Sequence, residues 1–411
     1  MTTAAAVGVT EPRVNSSARR AFTGAAAALF VLFMGNNLPS ALYGLLRERF
    51  GFSPLTQTLL YAVPVVAVIL PGLLVFGTLS DIAGRRSLVL AGLAAFAAGD
   101  LAFMLAGDTS WLFAGRLAQG LGIALATAAS TATLSDSAGG LRRDPVAAQR
   151  TAALAGTIAI TGGLAVGPLA GGLLAQYAPS PRITPLAVHL GLVAAALALA
   201  WSIPGRRPRP AEAAGRWRPA MPRIPDAMRP RFRVIAIAEL LCWAVLGVFS
   251  AVIASLLGSI LHTSNLALTA GGLFVAIAAS TLAQVGAPRL APLTAQVTGL
   301  SVLACGLVLL LAAEGTANVV LVVAAMVCSG TGHGLVFAGN LAEVTVAAPA
   351  AERGAVLGAI YFVNYAGLGV PVIGVGVLSL WTGLETATTV AAIVIAAGCA
   401  LLIPFVIRRR G

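Results

Sequence analysis

Charge is what this sequence has least of: 10% of its 411 residues are charged against 58% hydrophobic, and the mean hydropathy is +0.93. A soluble domain carries roughly 25% charged residues, so this composition cannot build a water-facing surface. Lysine is absent altogether, and all 26 basic residues are Arg, which beside the heavy Ala and Gly content reads as coding bias. With no Gly-Lys phosphate loop, ATP-driven work has no support. The three His are scattered, and Cys242, Cys305, Cys328 and Cys399 lie in apolar stretches without paired spacing. Neither a disulfide framework, a metal site, a cofactor nor an enzymatic constellation is expected. The formal charge of +12 and pI near 11 raise nucleic acid as a partner, but the Arg residues fall in short loops rather than on one basic face, which excludes it.

What the chain does have is long apolar runs. A membrane span needs about 20 apolar residues, and cutting at polar loops gives twelve segments, near 22–46, 55–77, 88–107, 111–135, 151–176, 184–203, 233–261, 266–286, 293–313, 317–344, 354–378 and 382–407. Runs of this length cannot be soluble strands, and a β-barrel needs shorter, alternating segments. The expected fold is therefore an all-α membrane protein of twelve transmembrane helices. The polar start of the chain lacks a signal peptide's short apolar core, so the first span is expected to act as an uncleaved insertion signal.

Orientation follows from Arg. With the start inside, 22 of the 26 fall on the cytoplasmic side, leaving Arg47, Arg49 and Arg182 outside and Arg116 within a span. Both termini are then cytoplasmic. Trp111, Trp201 and Trp381 fall at span ends, where an interfacial belt would place them. The expected units are a cytoplasmic tail 1–21, a six-helix bundle 22–203, an Arg- and Pro-rich cytoplasmic linker 204–232 held at the anionic inner leaflet, a second bundle 233–407 and a tail 408–411. A weak internal repeat supports two halves. Leu154, Pro168 and Gly171 match Leu357, Pro371 and Gly374 at one offset (357 − 154 = 203), and Gly120 and Gly122 match Gly330 and Gly332. Two homologous halves suit alternating access around a site between them.

Three stretches carry sharper signals. Residues 77–86, GTLSDIAGRR, form a charged hairpin between spans 2 and 3, with Gly77 and Gly84 flanking Asp81 and Asp81 one turn before Arg85, next to Arg86. Asp136, at the cytoplasmic end of span 4, lies near the same depth. GRLAQGLG in span 4 holds Arg116 and Gln119. GGLAVGPLAGG in span 5 places Gly163, Gly167, Gly171 and Gly172 around Pro168, allowing close helix approach and a bend. In a twelve-span chain these stretches resemble motifs A, B and C of the major facilitator superfamily, and the third resembles the mark of its drug and metabolite antiporters. The resemblance implies a relay of Asp81, Arg85 and Asp136 latching the two halves on the cytoplasmic side, with Asp81 facing the start of span 11 near Arg353 and Gly354, and it implies export. The plainer alternatives are a tight turn with positive-inside anchoring for the first stretch and generic helix packing for the third.

An unpaired Arg at the depth of Arg116 costs several kcal/mol, and Asp100 of span 3 is the expected partner, either as a proton-coupled pair or as a static structural one. Polar and aromatic residues suggest a cavity: Asn36 and Asn37 on span 1, Gln119 on span 4, Glu239 and Trp243 on span 7, His333, Phe337 and Asn340 on span 10, and Tyr361, Asn364 and Tyr365 on span 11. Such a lining suits an amphipathic organic molecule, though interhelical hydrogen bonding explains any one of these residues. Span 1 offers amides where a carboxylate would be sought, so Asp100, Arg116, Glu239 and His333 are the candidates for proton coupling; buried carboxylates and imidazoles respond most to their surroundings. The expectation is a monomeric transporter in the cytoplasmic membrane, exporting a small amphipathic compound in exchange for protons. Nutrient uptake and a non-transporting receptor or scaffold are the rivals.

Overall fold

Hydrocarbon offers backbone groups no partners, so each spanning segment must close its hydrogen bonds within itself. The computed structural model describes residues 16–75, 84–142, 144–205, 224–314, 316, 318–349 and 352–408, and it is helical with no strand among them. The twelve membrane helices are α1 (Ser16–Asn37), α2 (Pro54–Val63, Pro64–Ile69 and Leu70–Val75 end to end), α3 (Arg85–Met104), α4 (Thr109–Ala138), α5 (Pro145–Tyr177), α6 (Thr184–Ala200), α7 (Arg229–Ile260), α8 (Leu266–Gly286), α9 (Pro292–Glu314), α10 (Val319–Ala347), α11 (Arg353–Thr382) and α12 (Leu384–Arg408). Eleven are long and apolar enough to cross a membrane by themselves, and α6 is shorter at 17 residues.

Side chains just before several helices accept from their free N–H groups, as N-caps do. Ser53 does so for α2, Asp108 for α4, Asp144 for α5, Asn265 for α8 and Asn318 for α10. The first span ends earlier than the 22–46 expected. Pro39 supplies no N–H, the chain tightens into a 3-10 turn over Leu38–Ala41, and a separate short helix, Tyr43–Phe50, follows and closes on Gly51 at φ +66°. Pro64 likewise interrupts α2, whose middle, Pro64–Ile69, widens into a π-helical segment.

The repeat read from the sequence is a repeat of packing. In each half the first helix packs on the fifth, the second on the fourth, the third on the fourth and the third on the sixth. The paired glycines hold equivalent places. A methyl on Gly120 would press on Pro64 of α2 and one on Gly122 on the Gly92 carbonyl of α3 at 2.5 Å. A methyl on Gly330 would overlap the Ala276 carbonyl of α8, and one on Gly332 would sit 2.5 Å from Leu303 N of α9. Each half thus draws its fourth helix against its second and third through backbone contact, the mode small residues allow.

Between the halves, α2 packs on α11 and α5 on α8. Among the described residues, three hydrogen bonds that join them share one end of the molecule: Asn37 Nδ2 to Ser250 Oγ (3.5 Å), Gln57 Nε2 to the Ala251 carbonyl (2.9 Å) and Leu266 N to Gln176 Oε1 (2.8 Å). At that end a methyl on Gly172 would lie 2.6 Å from Ala270 Cβ, and one on Gly376 would overlap Thr58. The described residues begin, at Ser16, and finish, at Arg408, at the opposite end, so the face remote from Ser16 and Arg408 is the closed one.

Candidate functional site

Arg116 is fully buried, and local backbone chemistry explains how. A helical carbonyl is satisfied by the N–H four residues on. For Leu60 that residue is Pro64, which has none, and the Arg116 Nε donates to the freed Leu60 carbonyl at 2.9 Å. Asn36 stands in the last turn of α1, where carbonyls have no helical partner, and its carbonyl accepts from the Arg116 guanidinium at 3.0 Å. The same nitrogen reaches Gln119 Oε1 at 2.9 Å, one turn along α4. Hydrogen bonds to a charged group contribute about 1.5–3 kcal/mol each, so three of them offset a burial cost of several kcal/mol.

The expected direct pair of Asp100 with Arg116 is corrected by this geometry. Gln119 stands between them, donating from Nε2 to Asp100 Oδ1 at 2.9 Å. The ion-pair partner of Asp100 is His189 of α6, whose Nδ1 lies 2.6 Å from Asp100 Oδ2. The other ring nitrogen, Nε2, donates to the Val31 carbonyl at 2.9 Å. A carbonyl only accepts, so Nε2 carries its hydrogen, and the short Nδ1 to Oδ2 contact then requires one further proton between ring and carboxylate. Gly35 makes room, because a methyl there would overlap the imidazole. His189 was not singled out by the sequence reading. Its signal was an imidazole one and a half turns into an otherwise apolar span, which needs a partner at that depth.

Asn37, expected in the cavity, has a second proline to answer to. The Leu164 carbonyl of α5 would be satisfied by residue 168, and that is Pro168; Asn37 Nδ2 donates to it at 3.1 Å. Around this point Gly163 and Gly167 lie against the α1 backbone and Gly171 against Leu38 and Ala41 of the 3-10 turn that follows it, while Gly172 turns to α8 of the other half. Of the cavity candidates, then, Gln119 and Asn37 are engaged in joining helices.

The second half assembles a different group. Glu239 of α7 is fully buried, with Oε1 accepting from Asn340 Nδ2 at 3.0 Å and Oε2 from Trp243 Nε1 at 3.0 Å. Both donors are neutral, and no ion pair to Glu239 occurs among the described residues. Trp243 stands edge-on to His333 at 5.0 Å and to Phe337 at 5.6 Å between ring centroids. His333 Nδ1 lies 2.7 Å from Ser280 Oγ of α8, while its Nε2 and the Asn340 Oδ1 are buried without a partner among the described residues. On α11, Tyr361 is exposed, Tyr365 packs against the core, and both amide atoms of buried Asn364 are unpartnered among the described residues. The structure brings Glu239, Trp243, His333, Phe337 and Asn340 together. Glu343, near the end of α10 that bears Ala347, accepts from Gln296 and lies 3.5 Å from Arg231 Nε.

At the end where α1 begins and α12 finishes, Gly84 takes φ +83° as α3 begins. Arg85 pairs with Asp136 and donates to the Ala132 carbonyl at 3.2 Å. Arg86 lies 4.1 Å over the ring of Trp201 at the end of α6. Gly77 and Asp81 lie outside the described residues.

Comparison with known proteins agrees with this architecture. The profile described as Major Facilitator Superfamily matches residues 25–372. No curated protein matches the sequence. Among solved structures, a bacterial homologue of the human lysosomal transporter Spinster, inward-facing and unoccupied, superposes with a TM-score of 0.73 at 14% identity, covering 96% of this chain and 98% of that one. The nucleoside transporter NupG gives 0.70 at 14% identity over 96% and 99%. The human organic anion transporter MFSD10 (TETRAN) gives 0.66 at 15% identity over 95% and 100%.

Proposed function

We propose, since the chain belongs to the major facilitator superfamily and is a multi-pass membrane transporter, that it exports a small amphipathic organic compound from the cytoplasm in exchange for protons by alternating access. Glu239 is the observation that carries this reading. A buried carboxylate held by neutral donors alone, beside aromatic faces, is a place where a proton and a positively charged organic group compete. Asn340, Phe337, Tyr361, Asn364 and Tyr365 complete the lining. The arginine bias sets both termini in the cytoplasm, so the open side of this conformation is the cytoplasmic one. The cytoplasmic latch between the halves is assigned to Asp81 meeting the start of α11 when that side closes, supported within the first half by the solvated Arg85–Asp136 pair, an interaction weak enough to open in each cycle. Gly163, Gly167, Pro168, Gly171 and Gly172 form the sliding surfaces of α5.

The test is purified protein in liposomes with an imposed pH gradient and matched cationic and neutral lipophilic compounds. One-for-one exchange should concentrate the cation by up to about tenfold per pH unit, and Glu239→Gln should abolish that accumulation. Flux of neutral compounds indifferent to the gradient would instead assign uptake or facilitated diffusion.

A further inference from the structure

The buried chain from His189 to Arg116 ends on the two segments that close the remote face. Arg116 holds the Asn36 carbonyl, and the next residue, Asn37, donates across to Ser250 of α7. Arg116 also holds the Leu60 carbonyl, and Gln57, one turn away on α2, donates across to the Ala251 carbonyl. Both are carbonyls at breaks, one at the end of α1 and one freed by Pro64, so neither segment is fixed by its own helix there.

We propose that the His189–Asp100 pair is a proton-binding site that sets this gate through Gln119 and Arg116. With the proton held between His189 Nδ1 and Asp100 Oδ2, the pair is neutral as a whole, and the Arg116 charge is spent on the two carbonyls. When the proton leaves, Asp100 keeps its negative charge beside a neutral imidazole. The nearest opposite charge is then Arg116, separated by one amide, and an uncompensated buried charge is costly enough to draw it over. Arg116 turning to Asp100 releases the Asn36 and Leu60 carbonyls, and the ends of α1 and α2 lose their anchor. Protonation therefore closes the remote gate and deprotonation frees it, the sequence an exchanger needs for protons that enter from that side.

The charged and titratable groups that meet this site are few. α4 brings Arg116, α2 brings Tyr61 and the short helix after α1 brings Tyr43, both within electrostatic reach of Arg116; phenols ordinarily stay neutral below about pH 10. On α3 the only others are Arg85 and Arg86 at the far end; α1 contributes Arg19 and Arg20 at its far end, and α5 Arg150 and the exposed Tyr177 at its two ends.

The inference rests on the alternating-access reading but is tested without transport. Spin labels at Glu48→Cys and Ser264→Cys, on the two halves at the remote face, with Cys305→Ser to remove the exposed native thiol, report gate distance in liposomes across pH. The expected result is a closed-to-open ratio that falls by up to about tenfold per pH unit as pH rises through the titration of one proton. His189→Gln should flatten that response. Gln119→Leu, which leaves the pair intact but cuts its link to Arg116, should flatten it too and serves where the first variant does not fold. A pH response unchanged in either folded variant, or no response in the parent, overturns the proposal. A gate that responds to pH in a protein that moves no compound would sink the export reading and leave this one standing.

Discussion

At the scale of the residue, two polar side chains do work that belongs to a missing N–H. Asn37 answers Pro168 and Arg116 answers Pro64, each by donating to the carbonyl four residues before the proline. A buried carbonyl left without a donor costs about 1–3 kcal/mol. Asn37→Ala should therefore lower the apparent Tm in detergent. Pro168→Ala restores the backbone N–H, so the same Asn37→Ala change made on top of it should cost much less. A double-mutant cycle reads this coupling directly, and strict additivity of the two changes would refute it. The sequence displayed both prolines and both donors, but which donor meets which carbonyl depends on helix neighbours that no local pattern specifies.

At the scale of the element, α5 is the helix with the most demanding surfaces. Gly163, Gly167 and Gly171 recur every four residues and line one stripe, which lies on α1 and on the 3-10 turn that follows it, with backbone brought close to backbone. Adding a methyl at Gly167 would overlap the Met34 carbonyl, and overpacking of this kind costs about 1–3 kcal/mol. Gly191 of α6 offers the control, since nothing lies within 4 Å of a methyl there. Gly167→Ala should lower the Tm clearly, and Gly191→Ala should be neutral or raise it by the helix-propensity difference of up to about 1 kcal/mol. Equal effects from the two would show that the stripe is not a packing surface. The close spacing was legible in the sequence; the division of labour, three glycines to α1 and its following turn and Gly172 to the other half, was not.

At the scale of the whole molecule, closure of the remote face depends on α5 meeting α8 and α2 meeting α11. Gly172→Val places two methyls where Ala270 Cβ and the Leu266 carbonyl already stand at 2.6 Å from a single added carbon. This variant should hold the remote face open, and a membrane-impermeant thiol reagent should then label Ser250→Cys faster from that side than in the parent. Labelling at the parental rate would mean that the α5–α8 contact does not limit closure. The linker between the halves carries the opposite expectation. Its composition offers no core, so removing a few residues from 206–223, which lie outside the described residues, should leave flux in liposomes largely intact, as measured against the same amount of inserted protein.

Composition and periodicity by themselves determined the helical membrane class, the twelve segments, the twofold repeat and the positions of Arg116, Asp100 and Glu239, because hydrocarbon imposes length and satisfaction on every span regardless of neighbours. The partner of each buried charge was settled only by tertiary structure. His189 reaches Asp100 across 89 positions of sequence, and Gln119 fills the space assigned to a direct ion pair. The first residues read as a functional centre, 77–86, prove to be tied at Arg85 to Asp136 and at Arg86 to Trp201. The physical reason is general: the membrane tells each segment that it must be a helix, but a buried charge or a proline-freed carbonyl can be satisfied by any helix that comes near. Only the packing of the bundle decides which one does.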